Sequence, residues 1–127
     1  MTRPKVMVVD DQPDFVDMVR AMLEPAGYDV LGCTRAAEAR HSIVKQRPDL
    51  VLLDLMMPGL SGFDVIHILD ADPATRRIPV ILTTAAADLI AKNLPILEAK
   101  GLTVLAKPFS LDDLLSKIRE AVARAKS

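Results

Sequence analysis

Leu50-Val51-Leu52-Leu53-Asp54, running on into Leu55-Met56-Met57-Pro58-Gly59-Leu60-Ser61-Gly62, decides how the rest of the chain is read. Four unbroken apolar residues leave no polar face, which is what a strand buried on both sides of a sheet requires. The run stops at a carboxylate and enters a loop rich in Pro and Gly, so the strand ends where the chain must turn. The same pattern recurs along the chain. Val6-Met7-Val8-Val9 ends at Asp10-Asp11, Pro79 to Leu82 runs into Thr83-Thr84, and Leu102 to Ala106 runs into Lys107-Pro108. Tyr28 to Cys33 reads as a further strand.

Between these runs the period changes to that of a helix. Phe15, Met18, Val19, Met22 and Leu23 share one helical face, with Pro13 in the first turn and Ala26-Gly27 closing the segment. Thr34 stands where an N-cap belongs, ahead of an Ala-rich helix to about Arg47 that Pro48 stops. Phe63, Ile66 and Leu69 mark a third helix, and residues 86–99 a fourth, which Pro95 should kink or split. Leu111, Leu114, Leu115, Ile118 and Val122 form the inward face of the last helix, with Ser110 as its N-cap and Asp113 completing an acidic capping box. Five β-α units predict an α/β fold, a doubly wound five-stranded parallel sheet with five helices on its two faces and right-handed crossovers. Ligands of such sheets bind beyond the carboxyl ends of the strands.

At 127 residues the chain has the length of one domain, and its 50% hydrophobic content can supply the core. Sixteen Lys and Arg against seventeen Asp and Glu leave a net charge of −1, so no basic field gathers nucleic acid or anionic lipid, and neither is expected as a partner. The single cysteine, Cys33, cannot form an internal disulfide and reads as a small buried apolar residue. The apolar run before Asp10 is too short for a signal peptide and no stretch approaches a membrane span, so the expected location is cytoplasmic. Three Phe, one Tyr and no Trp offer little for stacking on bases or sugars.

The strand ends bring Asp10, Asp11, Asp54 and Lys107 to one rim, with Thr83 and Thr84 arriving from the fourth strand. A strand-end aspartate alone is most often a turn former or helix cap. Three carboxylates and a lysine on one rim call for more, because clustered carboxylates repel by about 1–4 kcal/mol per pair and need a compensating charge. Lys107 supplies one. A divalent cation supplies more, and an all-oxygen donor set suits Mg²⁺, or Mn²⁺, rather than zinc. A carboxylate beside such an ion and a lysine can attack a phosphoryl group, a reaction that needs mainly positioning and charge neutralisation.

Together, Val8-Val9-Asp10-Asp11, Leu52-Leu53-Asp54 with Met57-Pro58-Gly59 and Gly62, Ile78-Pro79 with Thr84-Ala85, and Lys107-Pro108-Phe109 resemble the receiver domain of two-component response regulators over essentially the whole chain. The resemblance implies a flavodoxin-like sheet of order 2-1-3-4-5. It further implies that Asp54 is the phosphoacceptor, charged by a sensor histidine kinase or a histidine phosphotransfer protein. Asp10, Asp11, Asp54 and the backbone carbonyl of Met56 would hold Mg²⁺, with Asp11 a direct ligand and Asp10 acting largely through water. Thr84 would be the hydroxyl that turns toward the phosphoryl group, with Thr83 its rival, and Lys107 the ammonium that pairs with it. Pro108 would follow a cis peptide, and the Met56 side chain could shield the phosphoryl group from water. Val104 departs from the family's usual Tyr or Phe three residues before the lysine. The chain is then expected to be a stand-alone receiver, no enzyme beyond its own phosphorylation and dephosphorylation, that signals by docking to a downstream protein.

Two other readings are open. An aspartate-nucleophile phosphatase uses similar groups but wants Asp-x-Asp, whereas Met56 follows Asp54 and Gln12 follows Asp10 at that spacing. A phosphorylation-independent interaction module would keep the fold without the chemistry. His41 and His67 read as solvated helix residues, Arg76-Arg77 as a solvated loop, and neither glycine pattern for nucleotides is present.

Overall fold

The computed structural model describes residues 3–57, 62–86 and 102–125, with the single positions 88, 92, 95, 97 and 99 between them. Strands β1 (Lys5–Val9), β2 (Asp29–Cys33), β3 (Leu50–Asp54), β4 (Val80–Thr84) and β5 (Thr103–Ala106) form one sheet of order β2-β1-β3-β4-β5. Every neighbouring pair is parallel. The central strand β3 is buried from end to end, as its unbroken apolar run requires. Helices α1 (Pro13–Leu23), α2 (Ala39–Gln46), α3 (Gly62–Asp70) and α4 (Leu111–Ala125) cover the two faces.

Strand alternation divides the apolar residues into two cores. Met7, Val9, Val51, Leu53 and Leu82 pack with Ile43, Ile66 and Leu69 of α2 and α3 on one face. Val6, Val8, Leu50, Leu52 and Ile81 pack with Val19, Leu23, Leu114 and Ile118 of α1 and α4 on the other. Of the helix expected over 86–99, the described positions 88, 92, 95, 97 and 99 are helical and Ala86 is not, the other positions lie outside the described residues, and Leu97 is buried in the first core. The kink expected at Pro95 and the turn over 58–61 lie outside the described residues.

Four local expectations are corrected. The inward face of α1 is Val16, Val19 and Leu23, while Met18, at the edge of the apolar stripe, is 44% exposed. Leu111, the first residue of α4, is likewise exposed, and Leu114, Ile118 and Ala121 carry the burial. Thr34 caps nothing. A 3-10 turn, Ala36–Glu38, comes first, with Arg35 before it and no side-chain cap bond, and its tight winding carries Ala36 and Ala39 into the core. The second strand begins at Asp29 rather than Tyr28. Elsewhere Pro13 opens α1, the Ser110 hydroxyl accepts the Asp113 N–H at 3.1 Å, and Cys33 is a buried free thiol.

Candidate functional site

The carboxyl ends of β1, β3, β4 and β5 surround an open cleft of about 450 Å³ lined by Asp11, Asp54, Met56, Thr84 and Lys107 among others. Asp10, which precedes the lining residue Asp11, is buried at 1% exposure. The Asp10 backbone N–H donates to Cys33 O at 3.0 Å, carrying the β1–β2 ladder one residue past β1. Its Oδ1 accepts the Gln12 N–H at 2.9 Å and its Oδ2 accepts from Lys107 Nζ at 2.6 Å. Asp11, one residue on, is exposed and has no hydrogen bond or ion pair among the described residues.

Asp54 ends β3 with 6% of its surface exposed. Its Oδ1 accepts the Met56 N–H at 3.0 Å, and its Oδ2 lies 3.5 Å from Lys107 Nζ. Burial raises the Asp54 carboxyl above its ordinary value, against the opposing pull of the Met56 N–H and the Lys107 charge, with Asp10 adding to the rise. One oxygen each from Asp10, Asp11 and Asp54 lies within 4.8 Å of the others. Lys107 brings a single positive charge to Asp10 and Asp54, and Asp11 has no ion-pair partner among the described residues. That surplus of negative charge on hard oxygen donors fits a divalent cation of the Mg²⁺ kind.

Thr83 and Thr84 are both 1% exposed but differ in placement. Thr84 lines the cleft, and its Oγ1 accepts the Ala86 N–H at 3.0 Å. The Thr83 hydroxyl is buried without a hydrogen-bond partner among the described residues. Thr84 is therefore the hydroxyl at the site. Lys107 is carried there by β5: its N–H donates to Thr84 O at 2.8 Å, and the Lys107-Pro108 peptide is cis, as expected. Met56 also lines the cleft and is 59% exposed. His41 and His67 lie exposed on α2 and α3.

Sequence reasoning missed one group. Phe15 was read only as part of an apolar face, yet its ring lies under Lys107 Nζ, 3.9 Å from centroid to nitrogen, and meets Phe109 edge-on at 6.0 Å. Its place in the first turn of the helix after Asp10-Asp11 was the available signal, since that turn borders the rim.

The sequence and the fold have parallels among known proteins. A family model described as the response regulator receiver domain matches residues 6–119. The chain is 34% identical to the DNA-binding dual master transcriptional regulator RpaA of Synechocystis sp. over 95% of its own length and 50% of that protein's. It is also 34% identical to the phosphate regulon transcriptional regulatory protein PhoB of Pseudomonas aeruginosa, covering 98% of this chain and 54% of that one. The chain thus spans about half the length of the curated relatives it matches. Among solved structures it superposes on the Vibrio cholerae chemotaxis protein CheY4 with a TM-score of 0.84 at 27% identity, covering 94% of this chain and 99% of that one.

Proposed function

The chain belongs to the response regulator receiver domain family, and on that premise we propose that Asp54 accepts a phosphoryl group from a phosphohistidine and that the resulting charge is read by a protein partner. One observation carries this reading. Asp54 presents its carboxylate in the cleft, with Oδ1 accepting from the Met56 N–H and Oδ2 3.5 Å from Lys107 Nζ. An Asp54 oxygen attacks phosphorus, the P–O bond forms as the P–N bond to the donor imidazole breaks, and the imidazole leaves with the bonding pair. Lys107 neutralises charge on the transferring group, and the Met56 N–H holds the attacking carboxylate in line.

Asp10, Asp11, Asp54 and the Met56 carbonyl would hold Mg²⁺, or Mn²⁺. Bound there, the ion neutralises negative charge on the carboxylates and the phosphoryl oxygens. Thr84, at the cleft wall, turns toward the phosphoryl group and carries the change to its surroundings. The histidine donor sits on a sensor kinase or a phosphotransfer protein. The chain itself turns over no separate substrate, because no second carboxylate stands two residues after Asp54 or Asp10 to act as acid and base.

The net charge of −1 favours a protein over nucleic acid as the direct reader of this domain. Among the described residues no helix is long and apolar enough to cross a membrane, and a cytoplasmic location accords with a kinase donor. Adding beryllofluoride with Mg²⁺, as a stand-in for the phosphoryl group, tests the reading by NMR. Shifts centred on Asp54, Thr84 and Lys107 that vanish in Asp54→Asn are expected. Unchanged spectra would point to an interaction module that works without phosphorylation.

A further inference from the structure

We infer that Phe15 is a positioning residue for Lys107, holding its ammonium over the carboxylates through the face of its ring; the inference rests on the reading of Asp54 as phosphoacceptor. Lys107 Nζ makes three short approaches: 2.6 Å to Asp10 Oδ2, 3.5 Å to Asp54 Oδ2 and 3.9 Å to the centroid of Phe15. The lysine side chain is 17% exposed. Carboxylates and a ring face thus enclose an ammonium that the flexible four-carbon stem alone would leave free to move.

The ring is itself held. Phe109 meets it at 84° with centroids 6.0 Å apart, a favourable edge-to-face geometry. Lys107 and Phe109 come from one loop, on either side of Pro108, and both close on a single ring from the first turn of α1. The Phe15 N–H donates to Gln12 O at 3.1 Å, which ties the ring's backbone to the loop that carries Asp10 and Asp11. The first and last βα loops are therefore clamped together through Phe15, and the clamp sets where the ammonium stands.

An aliphatic side chain fills similar space but lacks the negative ring face that attracts a cation. The aromatic character of Phe15, rather than its bulk, is what orients Lys107 toward the transferring phosphoryl group. Phe15→Tyr keeps the face. Phe15→Leu removes it.

The test compares wild type, Phe15→Tyr and Phe15→Leu, each shown folded by circular dichroism and denaturation. NMR follows the ε-methylene protons of Lys107, and intact mass follows the rate of Asp54 phosphorylation by a small-molecule phosphodonor with Mg²⁺. Ring-current shielding of the Lys107 ε-protons in wild type and Phe15→Tyr, lost in Phe15→Leu, is expected. Phosphorylation should slow by about three- to tenfold in Phe15→Leu and stay within about twofold in Phe15→Tyr. Wild-type speed in Phe15→Leu, or equal slowing in both variants, would overturn the inference, since mere packing would then account for Phe15. If wild type takes no phosphoryl group at Asp54, the phosphoacceptor reading fails by itself, and absence of the ε-proton shielding in wild type still decides against the clamp.

Discussion

Asp54 is caught between burial, which disfavours its charge, and two groups that favour it, the Met56 N–H and Lys107. Burial prevails, so the folded chain holds this proton more tightly than the unfolded one. Below the unfolded carboxyl value of about 3.9 both states are protonated and nothing is lost. As pH rises past it the unfolded state gives up its proton first, and native stability falls until the folded carboxyl has also ionised. In chelator, Asp54→Asn should therefore be more stable than wild type at pH 7, by a margin that shrinks toward zero near pH 3. Urea denaturation midpoints at the two pH values check this; an equal margin at both would contradict it. Asp10, Asp11, Asp54 and Lys107 were legible in the sequence because a strand end followed by a turn is a local signal. Alternation along the strand only put Thr83 and Thr84 on opposite faces, and the Thr84-Ala85 pair of the family resemblance favoured Thr84. Phe15 was not legible as a site residue, since its partner Lys107 lies at the other end of the chain and only the closed sheet brings them together.

At the scale of elements, α1 lies so close to β2 that Gly32 has no room for a side chain. A Cβ there would stand 2.8 Å from Val16 Cγ1. Gly32→Ala should destabilise the chain by about 1–3 kcal/mol through overpacking. Because Val16 is the clashing group, Val16→Ala should recover part of that loss, and the double variant should be more stable than the sum of the single effects. Additive losses in a denaturation cycle would contradict the contact. At α4, Ser110→Ala removes the cap on the Asp113 N–H and should cost about 0.5–2 kcal/mol. Hydrogen exchange confined to the first turn of the helix reports it. Helix faces were only partly legible for a related reason. Periodicity identifies a stripe, but Met18 lies at its edge in α1 and Leu111 at the first position of α4, and the exposure of each depends on how the helix docks rather than on spacing alone.

Across the whole molecule the sheet order puts β1 and β3 side by side at the centre, so two carboxylate-bearing strand ends meet with β4 and β5 beside them. Parallel pairing sends all of these ends to one rim, and two apolar cores back the sheet from both faces. That architecture was legible because buried parallel strands read as unbroken apolar runs, whereas the 3-10 start before α2 depends on tertiary packing of Ala36 and Ala39. Asp10 and Asp54 sharing one lysine, with the Asp11 carboxylate beside them, also imply a thermodynamic signature. Mg²⁺ binding to the native state alone should raise stability by about 2.7 kcal/mol at a concentration one hundred times its Kd. The rise should be lost in Asp11→Asn, and thermal melts with and without chelator measure it; an equal rise in that variant would place the ion elsewhere.

The central claim is that the cleft exists to take a phosphoryl group on Asp54, and intact mass spectrometry tests it most directly. Wild type and Asp54→Asn are incubated with a small-molecule phosphodonor, with Mg²⁺ and with chelator. A single hydroxylamine-labile phosphoryl addition in wild type, present only with Mg²⁺ and absent from Asp54→Asn, is predicted. No addition to wild type, or the same addition in Asp54→Asn, would contradict the account.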